Sequence, residues 1–343
     1  MIILLSMQIN TKWPKISFIL LTFNGGDGVR KCLESVKKLD YPKKLIDVVV
    51  VDNGSKDESV KIAKSFGVRV FLHPEGNLYS NWVRGLHKIN GEFVFYLEQD
   101  IVLRNKNFIK EMIKPLLEDD RLIATFTKEY PKRDMNWACR YLSYHYSQCD
   151  PLLEFLFLPV EKSFIEKKNR YIVCKFEDKK IPPAARMFYR IKYLRETPNW
   201  TTKNYFDHDF LINCVRSGYP YFGYVPEAGY YHYHVRNFKH LLQKRTRNLG
   251  MHFFPEYGKY HYTILNTNNK WEIFRLMLFV IYANLFFPAL IRGFIRFLKH
   301  KDWVLLTEPV ITIAVTDTLL WSFLNNNTGR KMIMNSFKNL IKV

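Results

Sequence analysis

The sequence predicts an α/β fold with a mostly parallel central sheet, followed by apolar C-terminal helices. Three observations carry this prediction. Strand-length β-branched runs alternate with helical periodicities at intervals of about 25 residues over roughly the first 120 residues. Each run ends in a polar or glycine-bearing cluster. Two strongly apolar stretches follow in the last quarter of the chain.

After Pro14, Ile16 to Thr22 is an apolar run of buried-strand length, broken by Asn24-Gly25-Gly26. Val29, Cys32, Leu33 and Val36 then recur at helical spacing. Leu45 to Val51 is a second strand, ended by Asp52-Asn53-Gly54. Ser55 with Glu58 reads as a capping box that opens a helix through Val60, Ile62, Ala63 and Phe66 to Gly67. Val68 to Leu72 reads as a third strand, Asn81 to Ile89 as a helix, and Phe93 to Leu97 as a fourth strand. From about residue 120 to 200 aromatic and basic residues dominate without a clear period. That stretch either shapes an acceptor site or is a structural insertion. Pro182-Pro183-Ala184-Ala185 leads into a short element over Met187 to Tyr193. Phe210, Leu211, Cys214 and Val215 mark a helix stopped by Gly218. Asp207 and Asp209 therefore fall at a helix N-terminus, where the macrodipole favours ionised carboxylates.

The composition narrows the classes. A hydrophobic fraction of 48% and an aromatic fraction of 16% exclude a disordered chain. A formal net charge of +20 calls for an anionic partner: nucleic acid, anionic lipid or a phosphorylated substrate. The five cysteines, Cys32, Cys139, Cys149, Cys174 and Cys214, are scattered without CxxC spacing, which argues against a zinc site or disulfide framework and suits a reducing cytosol. The apolar run Ile2 to Leu5 is too short for a signal peptide or a spanning helix.

In parallel sheets ligands sit beyond the carboxyl ends of the strands. Four polar clusters fall there: Thr22-Phe23-Asn24, Asp52-Asn53-Gly54-Ser55, the loop around Asn77, and Glu98-Gln99-Asp100. Asp207-His208-Asp209 forms a second carboxylate cluster, followed by Gly218-Tyr219, Pro226 and His232. Two carboxylate clusters and a histidine are the parts needed to hold a divalent metal beside a general base.

Val49-Val50-Val51-Asp52-Asn53-Gly54-Ser55, the Glu98-Gln99-Asp100 strand end, and Asp207-His208-Asp209 with Gly218-Tyr219 and Pro226 to His232 resemble the family 2 inverting glycosyltransferases of the GT-A fold. The resemblance covers roughly residues 14 to 240. It implies that Thr22, Asn24, Asp52 and Ser55 face a nucleotide and that Glu98 and Asp100 stand for the family's DxD pair, with Asp100 on a metal. It makes Asp207 the catalytic base and His232 a second metal ligand, with Asp209 in support. Two departures stand out: Glu98 is one methylene longer than the usual Asp, and Phe206 replaces the Glu that commonly precedes the base.

The implied reaction moves a sugar from a nucleotide-diphosphate donor to a hydroxyl of a glycan or lipid-linked acceptor. The departing diphosphate needs a cation, Mn2+ or Mg2+, and a histidine ligand leans the choice to Mn2+. His234, two residues beyond His232, faces the same side if both lie on one strand and is a fallback ligand. Arg245, and Arg247 beyond it, either close over the diphosphate or belong to a solvated basic helix face. Nucleic acid is not an expected partner, because the carboxylates would repel it. The alternatives are nucleotidyl transfer to a sugar phosphate, for which the Thr22–Arg30 loop lacks the expected basic signature, and a non-catalytic basic membrane- or nucleic-acid-binding module.

The expected organisation is a catalytic domain over residues 14–240, with a nucleotide half (14–120) and an acceptor half (121–240), and a basic, apolar helical region over 241–343. Leu276 to Ile291 and Pro309 to Leu324 are each marginal for crossing a bilayer. If both crossed, Arg292, Arg296, Lys299 and Lys301 would lie on the far side from a cytosolic domain, against the positive-inside tendency. Helices lying in the interface, at the cytoplasmic face of the membrane, fit an anionic surface better; a soluble helical subdomain, a dimer contact and a membrane hairpin are the other readings.

Overall fold

The computed structural model describes residues 13–178, 181–182, 186–197, 207–255, 257–259, 265–266 and 268–341. The run Ile2 to Leu5, Pro183 to Ala185 and Phe206 lie outside the described residues.

The first half alternates as its sequence predicts: β1 (Ile16–Thr22), α1 (Asp27–Lys37), β2 (Ile46–Asp52), α2 (Ser59–Ser65), β3 (Arg69–Leu72), α3 (Leu78–Leu86), β4 (Phe93–Glu98), the short β5 (Ile101–Leu103), α4 (Phe108–Glu118) and β6 (Ala124–Phe126). The middle carries α5 (Trp137–Leu142), α6 (Pro151–Leu156), β7 (Phe164–Lys167), β8 (Ile172–Lys175), β9 (Phe188–Arg190), α7 (Ile191–Glu196) and α8 (Asp207–Arg216). Strands β10 (Tyr221–Tyr224) and β11 (Tyr230–His232) follow, then α9 (Phe238–Asn248), α10 (Lys270–Asn284), α11 (Phe286–His300), α12 (Glu308–Leu324) and α13 (Asn327–Ile341).

Nine strands form one sheet in the order β3-β2-β1-β4-β9-β6-β10-β8-β7. β3, β2, β1 and β4 run parallel, in register at Val49↔Arg69, Leu20↔Val50 and Leu20↔Leu97. β9 lies antiparallel between β4 and β6, and the β7–β8 pair extends the sheet antiparallel to β10. Every residue of β1 is buried, because helices cover both faces. Phe18 and Leu20 join one core with Val29, Cys32 and Met112 of α1 and α4, while Ile19 and Leu21 join another with Trp82 and Leu211 of α3 and α8. Burial of each such side chain is worth about 1.5–3 kcal/mol, so this double layer anchors the strand ends that carry the site.

Two local expectations differ. Ser55 and Glu58 form no capping box: the Ser55 hydroxyl donates to Asp52, and α2 begins at Ser59, whose amide donates to Asp57. The turn outcompetes the helix because Asp52 already accepts the Gly54 and Ser55 amides, and Gly54 takes the positive φ of 83° that the turn requires. The helix read as starting at Asn81 begins at Leu78, where Asn77 and Ser80 form a reciprocal capping box.

A third core links the two parts of the chain. Ala138, Tyr141 and Leu142 of α5, Leu152 of α6 and Leu241 of α9 pack with Phe279, Ala283, Ile311 and Val315 of the C-terminal helices. Trp303–Leu324 is a helical stretch long and apolar enough to cross a membrane by length and composition, and half of it is buried inside the protein. The run Leu276 to Ile291 is divided between α10 and α11, which meet at 85°.

Candidate active site

The carboxyl ends of β1, β2 and β4 bring Thr22, Asp52 and Glu98 to one edge, as parallel strands must. The β1–α1 loop is held by Gln99: its Oε1 accepts Thr22 Oγ1 at 2.7 Å and the Phe23 amide at 2.9 Å, and its Nε2 donates to the Phe23 carbonyl at 3.1 Å. A side chain on Gly25 would collide with the Gln99 amide, so glycine is what lets the loop come this close. Thr22 is buried in this clamp, and its hydroxyl braces the loop that was expected to face the nucleotide. Asn24 accepts the Lys56 amide at 2.9 Å and its own amide donates to Ser55, which ties the first two loops together. Asp52 is fully buried at the end of β2 and accepts from its own turn.

A separate two-stranded ribbon builds the ionisable centre. β11 pairs antiparallel with β5, with His232 opposite Ile101, and the Tyr233 amide donates to the Asp100 carbonyl at 2.8 Å. Alternation along β11 turns Tyr230 and His232 inward and leaves Tyr231 half-buried. His232 is thereby brought to Asp100 across about 130 residues of sequence: Nε2 lies 3.2 Å from Asp100 and 3.4 Å from Glu98, while Nδ1 lies 3.3 Å from the buried Glu129. Tyr230 also donates to Glu129, at 3.3 Å.

Cations close the cluster. Arg186 pairs with Glu98 at 2.7 Å and sits over the Tyr96 ring, from a backbone with φ of 62°. Lys244 Nζ lies 2.9 Å from His234 Nδ1. Asp100, His232 and His234 offer ligand atoms all within 4.8 Å of one another, the geometry of a candidate metal site. The His234 Nε2 is buried without a hydrogen-bond partner among the described residues, as an unfilled ligand position would be.

The electrostatics follow from burial set against neighbours. Burial pushes His232 down, but Asp100 and Glu129 outweigh it and hold the imidazole well above its usual range. Burial, then Lys244 and His232, push His234 well below, so its imidazole is neutral at neutral pH. Burial would raise Glu98 and Asp100; Arg186 then His232 keep Glu98 low, and His232 keeps Asp100 low. Burial lowers Lys244, opposed by Asp100 and Glu98.

Arg245, expected to close over the diphosphate, is engaged within the protein. Its Nε pairs at 2.8 Å with the fully buried Asp150 at the start of α6, which neutralises the guanidinium internally; Arg247 is exposed. Lys244, one residue earlier, bonds the His234 ring and carbonyl and lies within the field of Asp100 and Glu98 instead. Asp207 opens α8, but its side chain lies outside the described ones; Asp209 is half-buried in the first turn. His208 stacks on Phe157 with centroids 5.3 Å apart, and burial pushes its imidazole down to about 4. The sequence reading missed Glu129, Arg186 and the role of Gln99. A lone acid in an aperiodic basic stretch gives no local signal for Glu129, and the clamp of Gln99 on Thr22 and Phe23 spans more than 70 residues of sequence.

Residues 17–197 match the family described as Glycosyl transferase family 2. The glycosyltransferase AglE of Haloferax volcanii is 30% identical over 93 residues, covering 25% of this chain and 31% of that protein. The O-antigen chain rhamnosyltransferase RfbN of Salmonella typhimurium is 28% identical over 127 residues, covering 36% of this chain and 39% of that protein. The matched stretches thus span roughly a third of the length of these curated relatives. Among solved structures, the mannosyltransferase PcManGT from Pyrobaculum calidifontis, in complex with GDP-Man and Mn2+, aligns with a TM-score of 0.49 at 15% identity, over 91% of this chain and 88% of that one. With a family match over more than half of its residues, the chain belongs to glycosyl transferase family 2.

Proposed function

We propose that the protein transfers a sugar from a nucleotide-diphosphate donor to a hydroxyl of a glycan or lipid-linked acceptor, with inversion at the anomeric carbon. The observation that carries this reading is the convergence of Asp100, His232 and His234 beside the strand edge where a nucleotide would lie. The Asp100 carboxylate suits a hard ion, Mn2+ or Mg2+, and the two imidazoles lean the choice to Mn2+. When bound, the ion would neutralise the charge that develops on the departing diphosphate.

The chain's own residues do the rest. Glu129 holds the His232 ring by its Nδ1 side, so that Nε2 faces Asp100. Arg186 fixes the Glu98 carboxylate. Lys244 brings a positive charge to the same cluster, where an anionic leaving group benefits from it. The loops bearing Asn24 and Asp52 to Ser55 frame the nucleotide. Asp207, at the positive end of α8, takes the proton from the acceptor hydroxyl as it attacks the face opposite the diphosphate. The five buried thiols suit action in the reducing cytoplasm.

The test is a panel of UDP-, GDP- and dTDP-sugars with and without Mn2+, read by thermal stabilisation and by product. Stabilisation by a nucleotide that depends on Mn2+ supports the reading; none with any nucleotide, in a folded sample, refutes it. Asp207→Asn should retain nucleotide binding and lower transfer by about 10²–10⁴-fold. Near-normal transfer by that variant would remove Asp207 as the base.

A further inference from the structure

Helix α11 is inside out for a water-soluble surface. Ile291, Phe294, Ile295 and Leu298, at spacings of three and four, are all exposed, and Phe287 one turn earlier is 73% exposed. The opposite side carries Arg292 and Arg296, which turn inward to Glu308, a residue with no exposed surface. A helix in water does the reverse, with charge outward and apolar groups inward. Helix α10 continues the pattern with Trp271, Phe274, Met277, Leu278 and Ile281 exposed, and the corner between the helices adds Leu285 and Phe286. The two apolar stripes form one surface folded at 85°.

Size and charge identify what covers it. Each arm has 15 residues, about 22 Å of helix, short of the ~30 Å hydrocarbon core, and the bend stops the pair from acting as one straight span. From Ile273 to Lys301 the sequence has no acidic residue, while Arg275, Lys299 and Lys301 are exposed along the arms. A second copy seated here would set those cations against its own; anionic headgroups would neutralise them. We propose that the α10–α11 elbow is a one-leaflet wedge, sunk by its apolar faces into an anionic lipid surface without crossing it. The buried Arg292–Glu308–Arg296 contact then keeps the elbow braced on α12, so these two arginines are not the headgroup contacts that the sequence suggests. This inference is independent of the sugar-transfer reading.

The full chain is floated with vesicles of phosphatidylcholine and phosphatidylglycerol. Wild type should rise with them, and Phe287→Ser/Ile291→Ser/Phe294→Ser should lose partitioning on the order of a hundredfold. A folded state for the variant is checked by its thermal transition, so the result does not depend on whether any nucleotide binds. Undiminished flotation of the triple variant overturns the proposal. So does a wild type that stays off vesicles and forms a dimer that the variant dissolves. A Phe287→Cys thiol shielded from impermeant maleimide on both sides supports the wedge; labelling from the vesicle lumen means the segment crosses, which also overturns it.

Discussion

The Nε2 of His232 stands 3.2 Å from Oδ1 of Asp100, although the two residues are far apart in sequence and meet only because β11 pairs with β5. Divalent cation binding should therefore depend on the ribbon as much as on the ligands. Mn2+ titration by calorimetry should show Glu129→Gln weakening the ion 10–100-fold, as loss of a ligand-orienting partner does. His232→Ala should weaken it at least as much. Unchanged affinity in both variants would move the ion elsewhere.

Lys244 and Arg245 are adjacent yet should fail in different ways. Lys244→Ala removes a charge that lies within the field of Glu98 and Asp100, so nucleotide affinity should fall while the thermal midpoint stays near wild type. Arg245→Ala leaves buried Asp150 without its partner and should cost about 3–5 kcal/mol in denaturant unfolding. Equal losses of stability would refute the division.

Glu308 should be the most sensitive single position of the C-terminal helices. Glu308→Ala removes the carboxylate shared by Arg292 and Arg296, leaving Arg292 to Glu154 and Arg296 to His145 and the Tyr144 carbonyl, and should destabilise by about 3–5 kcal/mol. Urea unfolding followed by tryptophan fluorescence measures it. A cost under about 1 kcal/mol would show that water reaches the pair.

His208 gives the stability a pH dependence of known sign. Its imidazole titrates near 4 when folded, below the ordinary histidine value of 6.5, so the unfolded chain binds the extra proton between these values. The contribution is complete above about pH 6.5 and is lost as the pH falls toward 4. His208→Phe keeps the stack on Phe157 and should flatten that interval by about 1–2 kcal/mol, discounted for the ring's partial exposure. An unchanged slope would assign the acid loss to other groups.

How much was legible in the sequence tracks how local the cause is. β1, β2 and β4 are read from continuous apolar runs because both faces are buried, and their ends therefore locate Glu98 and Asp52. Ser55-x-x-Glu58 misleads because Asp52 offers Ser55 a nearer partner than the helix does. Neighbours on a helix point about 100° apart, so a basic run such as Lys244 to Arg247 does not reveal which cation faces the site until α9 is docked. Glu129 acquires meaning only through contacts with Tyr230 and His232, which no local pattern encodes.

The position of β9 has a consequence for how the chain is made. Residues 188–190 fill the gap between β4 and β6, so the edge of β4 stays unpaired until the ribosome has released nearly 200 residues. During synthesis the β3-β2-β1-β4 layer must wait with that edge bare, open to mispairing with other nascent chains. A nascent chain arrested near residue 150 should be a client of chaperones, and one arrested past residue 230 should resist protease.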